Sequence, residues 1–264
     1  MITFRDLYTA MRKLDLDRAR PVIAHGSLSS FGEVNGGGDT VLGALLAVSN
    51  SVIMPTFTFK TMLIPEVGPD NNAMRYGSGK DLNRMAEFFT PDMTVDPLMG
   101  AIPEALRRHP KAHRSLHPIL SFSGINADRE LQQQTMNVPL APIHTLREAE
   151  GWVILLGVDH TVNTSIHYGE LLAGRKRFVR WALTPDGVIE CPNFPGCSNG
   201  FNAITPSLDH VIRRVLVGSS LVQAIPIAAL VETVLAMIQQ DPLALLCEKP
   251  DCEPCNTVRE SLQK

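Results

Sequence analysis

Thr164, His167 and Glu170 stand at i, i+3 and i+6 in the segment Asn163-Thr-Ser-Ile-His-Tyr-Gly-Glu170, directly after the apolar run Trp152-Val-Ile-Leu-Leu-Gly-Val158. If that run is a buried strand and the next segment opens a helix, the spacing puts a hydroxyl, an imidazole and a carboxylate on roughly one helical face. Such a set suits acid–base chemistry. Imidazole has an ordinary pKa near 6.5 and takes a proton at working pH, and a carboxylate three residues on fixes its tautomer and stabilises the imidazolium. The same spacing also suits a core histidine satisfied by a neighbouring glutamate, because buried pairs serve structural roles as well.

A second polar group lies near the N-terminus. Val22-Ile-Ala24 reads as a strand running into Ser27-Leu-Ser-Ser-Phe-Gly32, whose small residues let backbone N–H groups approach an anion. Gly36-Gly-Gly38 then precedes a helix whose N-terminus adds partial positive charge. Taken alone, a glycine cluster reads first as an ordinary strand-to-helix turn. Gly77-Ser-Gly-Lys-Asp81 is no P-loop, since the upstream glycine and the Ser/Thr after lysine are missing.

The elements that must position these groups read as α/β. A capping box at Thr3-Phe-Arg-Asp6 starts a helix with the apolar stripe Phe4, Leu7, Met11 and Leu14. Strands are expected at Pro21–His25, Val52–Phe57, Ile119–Ser123 and Ser220–Ile225, and helices at Asp39–Val48, Pro103–Arg108, Ala127–Gln134, Asp209–Val217 and Pro226–Gln240. Pro185-Asp-Gly187 turns a hairpin between Phe178–Leu183 and Val188–Cys191. Residues 60–100 are the least periodic part. Loops of that length inside compact domains are usually functional or disordered.

Composition bounds the class. The 264 residues are 44% apolar, ample for a sizeable core, and no run approaches the roughly 20 apolar residues of a membrane helix. Met1–Ala24 carries charges throughout, unlike a secretory signal, so a cytoplasmic location is expected, with no membrane partner. A net charge of −3 gives no electrostatic footprint for nucleic acid and suits a cationic small molecule. A homodimer is the commonest arrangement for a soluble oligomer.

Several ordered blocks together are more specific than any one of them. His25-Gly-Ser-Leu-Ser-Ser-Phe-Gly32, Gly36-Gly-Gly-Asp-Thr40, Val52-Ile-Met-Pro-Thr-Phe57, Arg114-Ser-Leu-His-Pro118 with Ser121, Leu155-Leu-Gly-Val158 and Asn163–Glu170 resemble the aminoglycoside 3-N-acetyltransferase family. The resemblance ends near Cys191. It implies a layered α/β sandwich with a mixed central sheet, forming one domain over residues 1–264 with a long loop at about 60–100 and a cysteine-containing tail at about 241–264. It further implies acetyl transfer from acetyl-coenzyme A to the 3-amino group of aminoglycoside antibiotics, conferring resistance. His167 is then the general base, Glu170 its orienting carboxylate, and Thr164 a hydrogen-bond donor to the thioester carbonyl. Ser27, Leu28, Ser29, Ser30, Phe31 and Gly32, with Ser115 and His117, would hold the coenzyme. Glu66, Asp70, Asp81, Glu87 and Glu104 are the candidate carboxylates for a polycationic acceptor.

Alternatives stay open at this point. Another small amine would serve the same machinery, and a hydrolase would use Ser29 or Ser165 with His167 and Glu170, although no Gly-x-Ser-x-Gly elbow is present. A binding protein without chemistry would keep the loop and discard the histidine. The tail cysteines Cys247, Cys252 and Cys255 could bind zinc if Cys191, Cys197 or a histidine supplied a fourth ligand. The usual paired C-x2-C spacing is absent, so no metal is expected.

Overall fold

In the computed structural model, which describes residues 1–263, the first helix α1 (Phe4–Arg12) opens as its capping box requires. The Asp6 amide donates to the Thr3 hydroxyl and the Thr3 amide donates to the Asp6 carboxylate. Strand β1 (Val22–Gly26), helix α2 (Gly37–Val48) and strand β2 (Val52–Pro55) form a parallel β–α–β unit. The long segment that follows carries β3 (Met62–Leu63) and α3 (Lys80–Met85), and then come α4 (Ala101–Arg108), β4 (His113–Arg114), β5 (Phe122–Ile125), α5 (Asp128–Leu131) and α6 (Ala141–Glu148). Strand β6 (Trp152–Leu156) leads into α7 (Thr164–Leu172), and the hairpin β7 (Phe178–Thr184) and β8 (Gly187–Phe194) into α8 (Thr205–Leu208). The chain finishes with β9 (Arg213–Val217), β10 (Ser220–Pro226), α9 (Ile227–Gln240) and α10 (Glu253–Ser261).

Seven strands make the central sheet in the order β4-β5-β2-β1-β6-β10-β9, and β3-β7-β8 form a separate antiparallel sheet. Only β2, β1 and β6 run parallel, with antiparallel neighbours on both sides, so the sheet is mixed as expected. The pleat sorts the central strands onto two cores. Val22 and Ala24 of β1, with Ile154 and Leu156 of β6, join Leu7, Leu45 and Leu106 of α1, α2 and α4. Ile23, Val153 and Leu155 point the other way, onto Ile143, Ile166 and Val234 of α6, α7 and α9. A strand buried on both faces therefore reads as an unbroken apolar run. At about 1.5–3 kcal/mol per buried aliphatic side chain, both faces of these strands contribute to stability. Among the described residues no helix is long and apolar enough to cross a membrane.

The helix expected over Asp209–Val217 is corrected. Arg213–Val217 is strand β9, paired antiparallel with β10 from Val217↔Ser220 to Arg213↔Ala224. That register leaves Gly218-Ser219 as a two-residue turn, and Gly218 supplies its φ of +59° at no steric cost. The apolar positions Ile212, Val215 and Val217 suit either period over so short a stretch; the partner strand decides. Residues 60–100 are partly tied down. The half-buried Arg114 donates to the carbonyls of Pro91 at 3.2 Å and Thr56 at 2.7 Å, and also to that of Met93.

Candidate active site

β2 and β6 flank β1 on opposite sides, so the loops leaving the carboxyl ends of β1 and β6 diverge and open a crevice between them, where ligands of open α/β sheets bind. A cleft of about 640 Å³ lies there, walled by His25 at the end of β1, by Ser27, Leu28, Ser29 and Gly32 after it, by Val158, Val162 and Thr164 after β6, and by the segment Pro97–Ala101. A neighbouring cleft of about 620 Å³ shares Ser27, Val158 and Val162 and adds Ser30, Asp159, Ser220 and Gln223. Among the described residues, neither is walled by lysine or arginine.

Asn163 caps α7, its side chain accepting from the Ser165 amide, and this starts the helix with Thr164 at the cleft. One turn further in, His167 Nδ1 lies 2.7 Å from Glu170 Oε2, and the two residues are only 8% and 2% exposed. With Nδ1–H donating to the carboxylate, Nε2 carries the lone pair of the neutral ring. Glu170 Oε1 accepts from Arg175 at 3.3 Å, and Arg177 donates to the His167 carbonyl. Burial lowers both guanidinium pKa values, that of Arg177 to about 10. Phe201 closes the far side, its ring centroid 4.7 Å from that of His167 in edge-on contact. The cleft reaches Thr164 and stops short of His167.

The β1 loop is a ridge of hydroxyls between the two clefts. Ser27 and Ser29 bond to each other at 2.9 Å, and Ser30 donates to the Ser27 carbonyl at 2.7 Å and meets Ser220 at 3.1 Å. No hydrogen bond joins Ser29 or Ser165 to His167 among the described residues, and Ser165 is fully buried with an unpartnered hydroxyl. A serine nucleophile needs that bond to its base, so this arrangement does not favour the hydrolase. Phe31 turns into the core. Gly36–Gly38 line neither cleft: a side chain at Gly38 would lie 2.8 Å from the Ala101 carbonyl oxygen, so this glycine serves the packing of α2 on α4.

The other expected site residues lie apart. Ser115 exchanges bonds with the backbone of Phe122, and His117 Nδ1 accepts from the amides of Ile119 at 3.2 Å and Leu120 at 3.0 Å. Burial holds the His117 pKa down at about 4, and its polar atoms shape the β4–β5 turn rather than wall a cleft. Glu66, Asp70 and Asp81 are exposed, Glu87 pairs with Lys60 at 2.9 Å, and Glu104 pairs with Arg107 at 2.6 Å. None of these acids reaches the clefts. The carboxylate that does is Asp159. Burial raises its pKa, but hydrogen bonds from Thr161 and Asn202 outweigh this and lower it overall. His25 was also missed as a site residue. It faces the cleft with Nε2 unpartnered, and burial, reinforced by His160, pushes its pKa down to about 3.

The family model for aminoglycoside 3-N-acetyltransferase matches residues 23–239. An aminoglycoside N(3)-acetyltransferase IX of Micromonospora chalcea is 34% identical over 61% of this chain and 59% of its own length. The SPbeta prophage-derived aminoglycoside N(3')-acetyltransferase-like protein YokD of Bacillus subtilis (strain 168) is 29% identical over 61% of each chain. The match thus spans about three-fifths of the length of these curated relatives. Among solved structures, the apoenzyme of aminoglycoside acetyltransferase AAC(3)-IVa superposes with a TM-score of 0.80 at 23% identity over 98% of both chains. An AAC-IIIb binary complex with CoASH superposes at 0.72 and 20% identity, over 90% of this chain and 96% of its own. With its ordered motifs on the matching strands and helix, the chain belongs to the aminoglycoside 3-N-acetyltransferase family.

Proposed function

We propose that the protein transfers the acetyl group of acetyl-coenzyme A to the 3-amino group of an aminoglycoside, and thereby confers resistance on the cell that makes it. The observation that carries this reading is the 2.7 Å pair of His167 and Glu170 on a helix whose first residue, Thr164, faces the cleft at the carboxyl ends of β1 and β6. The names of the relatives supply the acceptor class. The donor fits the cleft: Leu28, Pro97, Leu98 and Met99 offer an apolar wall for a pantetheine arm, and Ser27 and Ser29 offer hydroxyls. Without a cation in either wall, its phosphates would rest on backbone N–H groups.

His167 Nε2 accepts the proton of the acceptor amine as the nitrogen lone pair attacks the thioester carbonyl carbon. A C–N bond forms, the C–S bond breaks, and His167 returns the proton to the departing thiolate. Glu170 keeps Nε2 facing the amine and stabilises the imidazolium, while the Thr164 hydroxyl donates to the carbonyl oxygen as charge grows there. The carboxylate of Asp159, on the adjoining cleft, suits a polycation.

The test is a panel of aminoglycosides and simple amines with acetyl-coenzyme A, read by thiol release, with the product located by mass spectrometry and NMR. The expected product carries acetyl at the 3-amino group of a deoxystreptamine ring. Apparent KM for the antibiotic should rise with salt, since exposed ion pairs are screened over about 8 Å at physiological ionic strength. Acetylation of simple amines alone would reject the acceptor; release of free acetate without acetylated amine would reject the transferase.

A further inference from the structure

Four cysteines, one from the segment after β8 and three from the C-terminal tail, converge behind the helix that bears His167. Cys197, in the segment after β8, meets Cys247, Cys252 and Cys255 with all four sulfur atoms within 4.8 Å of one another and none in a disulfide. The fifth cysteine, Cys191, is buried in the core outside this group. Four thiolates around Zn²⁺ at bond lengths of about 2.3 Å place their sulfurs about 3.8 Å apart, a spacing the cluster reaches by a contraction of about an ångström or less.

The surroundings suit thiolates rather than thiols. The Asn199 amide donates to Cys197 Sγ at 3.3 Å and the Cys247 amide to Cys255 Sγ at 3.4 Å, the outer-shell bonds that orient metal-bound sulfur. Cys252 caps the nine-residue helix α10 and Cys255 lies in its first turn, where the helix dipole favours negative charge. Arg175 and Lys176 line the same crevice as Cys197 and Cys255, and Arg259 donates to the Cys247 carbonyl. These cations offset the excess negative charge of a tetrathiolate centre.

We propose that Cys197, Cys247, Cys252 and Cys255 bind one structural Zn²⁺ that fastens the C-terminal tail behind the site. The tail buries little apolar surface of its own, chiefly Leu245 and Val258, so a metal replaces the core it lacks. What it holds is specific. The carbonyls of Pro242 and Ala244 each accept from Arg175 at 2.9 Å, and the same arginine holds Glu170. The tail is therefore the rear support of the histidine–glutamate pair.

The full-length protein, purified under reducing conditions with zinc supplied, should contain about one zinc per chain by elemental mass spectrometry. After replacement by Co²⁺ it should show the strong visible bands of tetrahedral thiolate-bound cobalt. Cys252→Ser and Cys255→Ser should each lose most of the metal, Cys191→Ser should keep it, and a chelator should lower the Tm of the wild-type protein until zinc is restored. The proposal is overturned if the reconstituted wild-type protein holds no zinc and gives no such cobalt spectrum, if Cys252→Ser and Cys255→Ser bind as much metal as the parent, or if peptide mapping finds disulfides within the cluster. Should the variants fail to fold, zinc content and the cobalt spectrum of the unaltered protein decide the matter.

Discussion

Removing the imidazole of His167 and removing the charge of Glu170 should have different consequences, because the two residues have different partners. His167→Ala deletes the proposed base and should lower kcat about 100-fold or more in the thiol-release assay. Near-normal turnover would sink the assignment. Glu170→Gln should cost less in turnover but more in stability, because it strips the buried Arg175 of its counter-charge; breaking a buried pair costs about 3–5 kcal/mol. Denaturation curves that place Glu170→Gln above His167→Ala in stability would contradict this. Thr164→Val, nearly isosteric, removes only the cleft-facing hydroxyl. Loss of one donor to developing charge costs on the order of 100-fold in kcat with KM little changed, and a change in KM alone would assign Thr164 to ground-state binding instead. At this scale the Thr164, His167 and Glu170 spacing was readable from sequence because a single helix carries all three. Arg175, Phe201, Asp159 and His25 were not, since their relevance depends on which loops the fold brings together. The five acids expected to meet the acceptor lie away from the two clefts, and two of them show what a sequence hides: charge is visible there, whereas the pairing of Glu87 and Glu104 with Lys60 and Arg107 is not.

Among the elements, the placement of α7 is the one on which the proposed chemistry depends. Gly169 brings it against α9 so closely that a Cβ there would lie 2.7 Å from Val234 Cβ and Cγ1. Gly169→Ala gains up to about 1 kcal/mol of helix propensity but forces the helices apart, and overpacking of this kind costs about 1–3 kcal/mol. The expected outcome is a Tm lower by a few degrees and, because misplacement near 1 Å in a site costs up to about 100-fold, a kcat that falls further than stability alone explains. An unchanged kcat in a folded Gly169→Ala protein would show that the helix spacing does not set the site. The strands and long helices around this contact were legible because unbroken apolar runs and 3.6-residue periods survive without context. β9 was misread because five residues cannot distinguish the two periods, while the Gly218-Ser219 turn between two apolar runs carried the missed hairpin signal.

For the whole molecule, buried neutral histidines set the acid limit. Burial holds His25 at about 3 and His117 at about 4, below the ordinary 6.5, and lowers His160 as well. Each group binds its proton more readily in the unfolded chain, so its stabilisation is complete above about pH 6.5 and is lost as pH falls toward the folded value. For His25 and His117 the loss approaches 1.4 kcal/mol per pH unit each between about pH 6 and pH 4. Urea midpoints should drop steeply through that window. A flat profile from pH 6.5 to 4.5 would mean these rings take up protons without unfolding the chain.

The pairing of β1 with β6, which joins Val22 to Trp152 and carries both halves of the cleft, also fixes when the site comes into being during synthesis. The serine ridge leaves the ribosome early, whereas the strand that must lie beside it is made some 130 residues later, a separation equal to that of the Arg20–Glu150 contact at the same end of the pair. Until then β1 has only β2 beside it in the sheet, and its other edge presents a row of unsatisfied amides and carbonyls beside apolar side chains. Contacts this distant along the chain are paid for in loop closure before they return any stability, which slows folding. The candidate site is therefore complete only once Trp152 and the strand it opens have been made.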